Sequence, residues 1–150
     1  MIAFKKIYEA YCVANEALAE KESSARSAVQ RARWSRKMIL NDQAYFVMLF
    51  AQLEDRITGK CRALIKRKSA TGKWGSRRSW QILDAHDVER MPFTRRVALL
   101  LEKGTADYTE VCGFYRDRCA IAHGQLGKVS PINLPHVARK IQYLASKLQS

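Results

Sequence analysis

The sequence predicts an all-α protein, a single domain over residues 1–150 that forms a bundle of five or six helices. Apolar residues recur at steps of three and four along most of the chain, which is typical of the buried face of an α-helix. Only three prolines and seven glycines interrupt the 150 residues. The alternating β-branched runs that indicate strands are almost absent, and a chain of this length can bury a core of its own.

The strongest helical pattern, over about residues 42–67, predicts the central core helix. The segment N-terminal to it is also rich in helical pattern, and Ser23 and Ser24 are the residues expected to interrupt it. Asn41 or Asp42 is expected to cap the central helix, because a side-chain oxygen there can accept an unpaired backbone N–H. One stripe of the central helix holds Phe46, Phe50, Leu53, Ile57, Cys61 and Leu64, and Met48 and Leu49 widen it.

Shorter helices are expected after the central one. Ser79 is expected to cap a short helix, WQILDAH, and the pattern TRRVALLLEKG to end at Gly104. Thr105 can cap the next helix, about residues 106–123, which Gly124 ends. A last helix, HVARKIQYLASKL, closes the chain, and its inner face holds Val137, Ile141, Leu144 and Leu148.

The chain is strongly basic, with 27 Lys and Arg against 14 Asp and Glu and a net charge of +13. Such an excess favours polyanions, that is, nucleic acid or an anionic membrane surface. The longest uninterrupted apolar run, AYFVMLFA, is far shorter than the roughly 20 residues that span a bilayer. The N-terminus also lacks the uniform apolar segment of a signal peptide. We therefore expect a nucleic-acid partner and no membrane.

The cysteines and the other ligating residues predict neither a metal nor a cofactor. The four cysteines are scattered through helical patterns without a CxxC pair, which argues against a zinc site and against a disulfide framework. A reducing cytoplasm is therefore the expected compartment. The cysteines are Cys12, Cys61, Cys112 and Cys119.

Residues 66–78, KRKSATGKWGSRR, form the one stretch of low hydrophobicity, and six of the thirteen are basic. The composition predicts a mobile, positively charged loop with one exposed aromatic ring, which can hold phosphates and stack on a base. A solvated connector whose tryptophan folds back onto the core fits equally well. The candidate RNA-binding residues are Lys66, Arg67, Lys68, Lys73, Trp74, Arg77 and Arg78.

The stretch 116–124, RDRCAIAHG, places charged residues beside an apolar helix face. At about 100° per residue, Arg118 lies at one margin of this face and His123 at the other, while Arg116 lies near His123, two turns below it. A guanidinium beside a core is costly unless it meets an anion or a carboxylate. A histidine can act as acid or base near neutral pH, or it can simply cap the helix. The apolar stripe comprises Tyr108, Val111, Cys112, Tyr115, Cys119 and Ala122.

RDRCAIAHG at the end of a late helix resembles the signature of HEPN domains (higher eukaryotes and prokaryotes nucleotide-binding). That signature is R-x4-6-H, often with a polar residue after the arginine. Two registers fit the chain. Arg118 gives the four-residue gap to His123 and is followed by Cys119. Arg116 gives the six-residue gap, and Asp117 then fills the polar position.

The resemblance extends over about residues 40–148, although only the short motif is specific. The helix YFVMLFAQLEDRITGKCRALI resembles the central helix of these domains, with Glu54 as its acidic member. A HEPN-like helical bundle is therefore the expected fold.

The resemblance also implies a function. Many HEPN proteins are metal-independent endoribonucleases of toxin–antitoxin, abortive-infection and other antiviral systems, and they work as symmetric dimers with two motifs facing each other across one cleft. By this likeness His123 removes the proton of a ribose 2′-OH, and Arg118 or Arg116 stabilises charge on the phosphate. The basic loop and the segment 26–37 would hold the RNA backbone.

The implied partners are RNA, a second copy of the chain, and an antitoxin or other defence-system protein. One alternative of a different class stays open at this point. It is a catalytically inactive HEPN-like module that binds RNA or a partner protein, with Arg118 and His123 kept for folding or dimer contacts.

Overall fold

The computed structural model describes residues 2–148. Within that range the regular secondary structure is helical and no strand occurs, so the all-α prediction is confirmed. Two short 3-10 helices, at Val88–Arg90 and Leu126–Lys128, lie between longer elements. The six α-helices of this range are α1 (Ile2–Ser23), α2 (Ala28–Ala70), α3 (Trp74–Gln81), α4 (Phe93–Leu100), α5 (Ala106–Ala122) and α6 (Leu134–Lys147).

The chain divides into two compact units. The first comprises Met1–Gln52 and Tyr115–Ile141, and the second comprises Leu53–Phe114 and Gln142–Ser150. Helices α2, α5 and α6 therefore contribute residues to both units. The expectation of one domain over the whole chain stays a prediction, and so does the HEPN-like character of the bundle.

In the first unit, α1 and α2 form a hairpin with a short connection. The predicted interruption at Ser23 and Ser24 is confirmed, because α1 ends at Ser23. The Ser27 hydroxyl then accepts a hydrogen bond from the Gln30 N–H (3.2 Å), which is the bond of an N-cap. Tyr11 of α1 is buried against α2, with its ring centroid 5.6 Å from that of Tyr45.

The predicted helix start at Asn41 or Asp42 is wrong, because α2 runs without a break from Ala28 to Ala70. The reason is tertiary. The Asp42 carboxyl lies near the Tyr11 hydroxyl of α1, so this side chain faces a neighbouring helix from within α2 and does not cap a helix start. Burial raises the pKa of Asp42, and the nearby Tyr11 hydroxyl partly opposes that shift. The predicted core stripe is confirmed at all six positions, but Met48 is 46% exposed.

The second unit holds a buried arginine. Arg96 of α4 is only 9% exposed, and its guanidinium donates to Thr58 Oγ1 (2.6 Å) and Glu54 Oε1 (3.2 Å) of α2. The Cys61 thiol donates to the Arg96 carbonyl (3.1 Å). Such a charge is tolerated in a core only when it is paired and hydrogen-bonded. These bonds therefore fix α4 on the second half of α2.

Residues 66–78 do not form the predicted loop. Lysine and arginine are good helix formers, so α2 continues to Ala70 and ends where Gly72 takes a left-handed φ of +89°. Helix α3 starts two residues later, at Trp74, so Ser79 lies inside α3 and the predicted cap there is also wrong. The Ser69 hydroxyl contacts the Trp80 carbonyl (3.3 Å), which anchors α3 to the end of α2.

The later helices follow the sequence patterns more closely. Helix α4 ends at Leu100 and not at Gly104, since Leu101 is already extended. Thr105 caps α5 as predicted, because its hydroxyl accepts a hydrogen bond from the Tyr108 N–H (3.3 Å). Helix α6 begins at Leu134. Its predicted inner face is buried at Ile141, Leu144 and Leu148, and Val137 is half-buried.

The Arg96 bonds make a testable prediction for stability. Arg96→Met removes the guanidinium and leaves two polar partners in a largely buried site, so we expect the free energy of unfolding to fall by about 1–3 kcal/mol. Urea unfolding followed by circular dichroism measures this change. The matched control is Arg95→Met, because Arg95 is exposed on the same helix and should change stability by less than about 0.5 kcal/mol. Equal effects of the two substitutions would contradict a structural role for Arg96.

Candidate functional site

The end of α5 fixes the position of His123. Gly124 has a left-handed φ of +71°, and its N–H bonds to the Ile121 carbonyl (2.9 Å), while the Gln125 N–H bonds to the Ala120 carbonyl (2.8 Å). This pair of bonds is a Schellman motif, in which glycine reverses the chain and the last carbonyls are satisfied. His123 is therefore the last residue before the reversal, and its backbone N–H still bonds to the Cys119 carbonyl (3.0 Å).

Arg116 and His123 lie on the same side of α5, and both side chains are exposed. Seven residues separate them, which places them about 20° apart around the helix and about 10 Å apart along it. Solvent, and with it a phosphate group, can reach both. This arrangement is the one expected for the six-residue register of the motif.

Arg118 occupies a different side of the helix, whereas Cys119 lies only about 40° around it from His123. Arg118 lies about 140° around α5 from His123, and it is half-buried, as is Cys119. A single copy of the helix therefore does not present Arg118 and His123 in one direction. The four-residue register needs a second source for one of the two side chains.

Asp117, the polar residue of the six-residue register, is half-buried. Burial raises the pKa of this carboxyl above its usual value, and the neighbouring charge of Arg116 partly lowers it again. A raised pKa means that the folded chain holds the proton of Asp117 to higher pH than an exposed aspartate does.

The predicted core stripe of α5 is only partly buried. Val111 is fully buried, but Ala122 is exposed and the other four members of the stripe are half-buried. Phe114 and Ile121 are half-buried as well. This face is therefore only partly covered within the described chain. The described chain leaves apolar surface on the helix that carries the motif.

Glu54 has a partner in the second unit, where it forms an ion pair with Arg96 (3.2 Å). The Glu54 carboxylate is 22% exposed and the Arg96 side chain 11%. A catalytic role for Glu54 stays a prediction. Sequence reasoning missed Arg96, although a signal was present, since Phe93, Arg96 and Leu100 recur at three- and four-residue steps on one face of α4.

The candidate RNA-binding residues are divided between two helices and the turn that joins them, all within the second unit. Six of the seven are exposed, and Arg77 is half-buried. Trp74 is 62% exposed, so of the two alternatives the structure shows the exposed ring and not one folded back onto the core. Residues 56–83 contain nine Lys and Arg and no Asp or Glu, so this surface carries little compensating charge. The seven residues are Lys66, Arg67, Lys68, Lys73, Trp74, Arg77 and Arg78.

Helix α3 presents an aromatic ring and two cations on one face. Trp74, Arg77 and Arg78 fall within about 100° of each other around this helix. The Arg77 Nε is buried and has no hydrogen-bond partner, although a guanidinium has five N–H donors to satisfy. An aromatic ring flanked by cations is the arrangement that binds a nucleobase and its phosphate together.

Neither a metal-ligating cluster nor a membrane-spanning helix is found in the part of the chain that the structure describes. Residues 2–148 contain no group of three or more His, Cys, Asp or Glu side chains arranged to hold a metal ion. None of the helices in this range combines the length and the apolar character that crossing a bilayer requires.

The Schellman motif after His123 can be tested directly. Gly124→Ala places a Cβ on a left-handed residue, so we expect a loss of about 1–2 kcal/mol in the free energy of unfolding. Gly127→Ala is the matched control, because Gly127 lies three residues away, has no left-handed φ and has open space around its Cα. Thermal unfolding of the two variants measures the difference. A Gly124→Ala variant as stable as Gly127→Ala would contradict this ending of α5.

A comparison of the chain with protein-family models, curated proteins and solved structures finds no significant match. The likeness to HEPN domains therefore depends on the motif residues of this chain alone.

Proposed function

We propose that the protein is a metal-independent endoribonuclease of the HEPN type. The observation that carries the proposal is the end of α5, where a Schellman motif holds an exposed His123 on the same side as an exposed Arg116. A net charge of +13 supports RNA as the substrate, since basic proteins attract polyanions.

The proposed reaction needs only the RNA and these side chains. His123 takes the proton from a ribose 2′-OH, and the 2′ oxygen forms a bond to the adjacent phosphorus. The bond from phosphorus to the 5′ oxygen of the next nucleotide breaks, and the proton that His123 took passes to that oxygen, directly or through water. An arginine stabilises the negative charge that grows on the phosphoryl oxygens. The products are a 2′,3′-cyclic phosphate and a 5′-hydroxyl, and DNA is spared because it lacks the 2′-OH.

A symmetric dimer completes the proposed site. Arg118 and His123 diverge by about 140° on one helix, whereas two copies around a twofold axis can each supply the group that the other lacks. The half-buried apolar side chains of α5 support this assembly, since a second copy would cover them. They include Phe114, Tyr115 and Ile121.

RNA binding is proposed for the surface around α3. Trp74 would stack on a base, while Arg77, Arg78 and the cations at the end of α2 would hold phosphates. By the same resemblance, the setting is a toxin–antitoxin or other antiviral defence system. An antitoxin or another defence protein would then be a further partner.

Cleavage of RNA by the purified chain in EDTA tests the nuclease. We expect His123→Ala to lower the cleavage rate by about 10²- to 10⁴-fold through loss of the general base. The products should end in 2′,3′-cyclic phosphate, and a 2′-deoxy nucleotide at the cut site should block the reaction. His136→Ala is the matched control, because His136 is also an exposed histidine of the first unit.

Two arginine variants identify the working register. A loss of about 10²- to 10³-fold is expected for the arginine that stabilises the transition state, so Arg116→Ala and Arg118→Ala should differ sharply. Asp117→Ala should follow Arg116→Ala if the six-residue register operates. Cleavage by His123→Ala at the rate of the parent chain would favour the RNA- or protein-binding module instead. Intact cleavage by a monomer, shown by light scattering, would remove the shared cleft.

The salt dependence of RNA binding tests the α3 surface. Replacing Lys66, Arg67, Lys68, Arg77 and Arg78 by Gln should weaken binding and flatten the plot of log K against log salt. Each lost contact to a single-stranded phosphate should change that slope by about 0.7, because one fewer counterion is released. Filter binding or fluorescence anisotropy across a salt series measures the slope.

The control for this experiment removes the same charge from other exposed sites. A variant with Gln at Lys6, Arg95, Lys103, Arg139 and Lys147, all exposed, should keep most of the slope. Equal slopes for the two variants would indicate that only net charge matters and that α3 does not contact the RNA backbone.

A further inference from the structure

The first unit carries an exposed apolar recess along one face of α2, which we call the α2 recess. It consists of two adjoining depressions of about 670 and 330 Å³ that share Arg36 and Leu40. Several of its aliphatic side chains are far more exposed than is usual for their type. Their exposed fractions are 81% for Val29, 49% for Ile39, 49% for Leu40 and 37% for Leu126.

The recess lies in a segment whose charged residues are all basic. Residues 23–41 contain five basic residues and no acidic residue, and all five basic side chains are exposed. Arg36 lies within the recess itself, and Arg33 and Lys37 follow one margin of it. A ligand that fills this recess must therefore bring negative charge together with its apolar groups.

Gln43 is a buried polar side chain among the residues that line the recess. Its side chain is only 5% exposed, and its Oε1 accepts no hydrogen bond. It lines the smaller depression together with Leu126 and Gly127. Because this oxygen is closed to solvent, the recess itself offers a ligand mainly aliphatic and basic side chains.

Three other occupants fit this surface less well. A second copy would bring a recess with the same basic residues against this one, and like charges oppose such contact. RNA would meet the cations, but the floor is aliphatic and offers no ring on which a base can stack. A lipid surface is flat on this scale, so it would contact protruding side chains such as Val29 but would leave the two depressions unfilled.

We propose that the α2 recess binds an acidic amphipathic helix of a partner protein. Apolar residues at three- and four-residue steps on that helix would fill the floor around Val29 and Leu40, as in other helix-in-groove complexes. Acidic residues beside them would pair with Arg33, Arg36 and Lys37. The resemblance to HEPN domains predicts that this basic segment holds the RNA backbone. The exposed aliphatic floor of the recess instead favours a protein as its ligand. The proposal does not depend on nuclease activity.

A synthetic peptide tests the proposal on the full chain. The probe is an amphipathic helix of about 18 residues with leucines at steps of three and four and glutamates on the flanking positions. We expect saturable binding by fluorescence anisotropy. Val29→Ser/Leu40→Ser should weaken it about tenfold or more, because the apolar contacts of two side chains are lost. Arg36→Glu should weaken it as well.

Matched controls distinguish binding at the α2 recess from nonspecific binding to exposed apolar side chains. Val13→Ser/Ile82→Ser removes two other exposed aliphatic side chains, 68% and 83% exposed, and should leave the affinity unchanged. A peptide with the same leucines but lysine in place of glutamate should not bind. Circular dichroism of each variant confirms that it is folded.

Several results would overturn the proposal. One is the absence of saturable binding by the glutamate peptide, and another is equal binding of the lysine peptide. A third is that Val29→Ser/Leu40→Ser leaves peptide binding intact but weakens binding of a single-stranded RNA, which would assign the recess to nucleic acid. A fourth is that the same variant dissociates a dimer in light scattering, which would assign the recess to a second copy.

Discussion

The unbroken backbone hydrogen-bond ladder of α2 is the constraint on which both units depend. Nothing between Ala28 and Ala70 stops the helix, since these residues include no proline and no left-handed glycine. In the first unit this continuity places Asp42 against the Tyr11 hydroxyl. In the second unit it places Glu54 and Thr58 one turn apart, where both accept hydrogen bonds from Arg96.

The proposed chemistry depends on how one helix ends. Gly124 can adopt a left-handed φ that other residues avoid, so the chain reverses directly after His123 and leaves its side chain exposed. Seven residues earlier, Arg116 shares that side of α5, while Arg118 faces another way and is half-buried. The angular spacing of residues around the helix therefore distinguishes the two registers of the motif. In the six-residue register both side chains share one side of α5, whereas the four-residue register would need a second copy of the chain.

The positive charge of the chain is spread over surfaces of different character. Near α3 the cations accompany an exposed indole, which suits a base and its phosphate. Along the α2 recess they accompany exposed aliphatic side chains, which suits an acidic amphipathic helix. Both proposed surfaces are basic. They differ in their apolar groups, which are an aromatic ring at the proposed RNA surface and aliphatic side chains at the proposed protein surface.

The sequence by itself determined the helical class, the core stripe from Phe46 to Leu64, the Thr105 cap and the end of α5 at Gly124, because each depends on local spacing or on one residue's backbone preference. It left open whether Trp74 is exposed or folds back onto the core, and the roles of the motif residues stay a prediction. Only the tertiary structure decided that α2 continues through Asp42, that Arg96 is buried against Glu54, and that most of the α5 stripe stays half-exposed. Each of these features depends on which residues of a distant segment pack against the helix, and helical periodicity does not specify those residues.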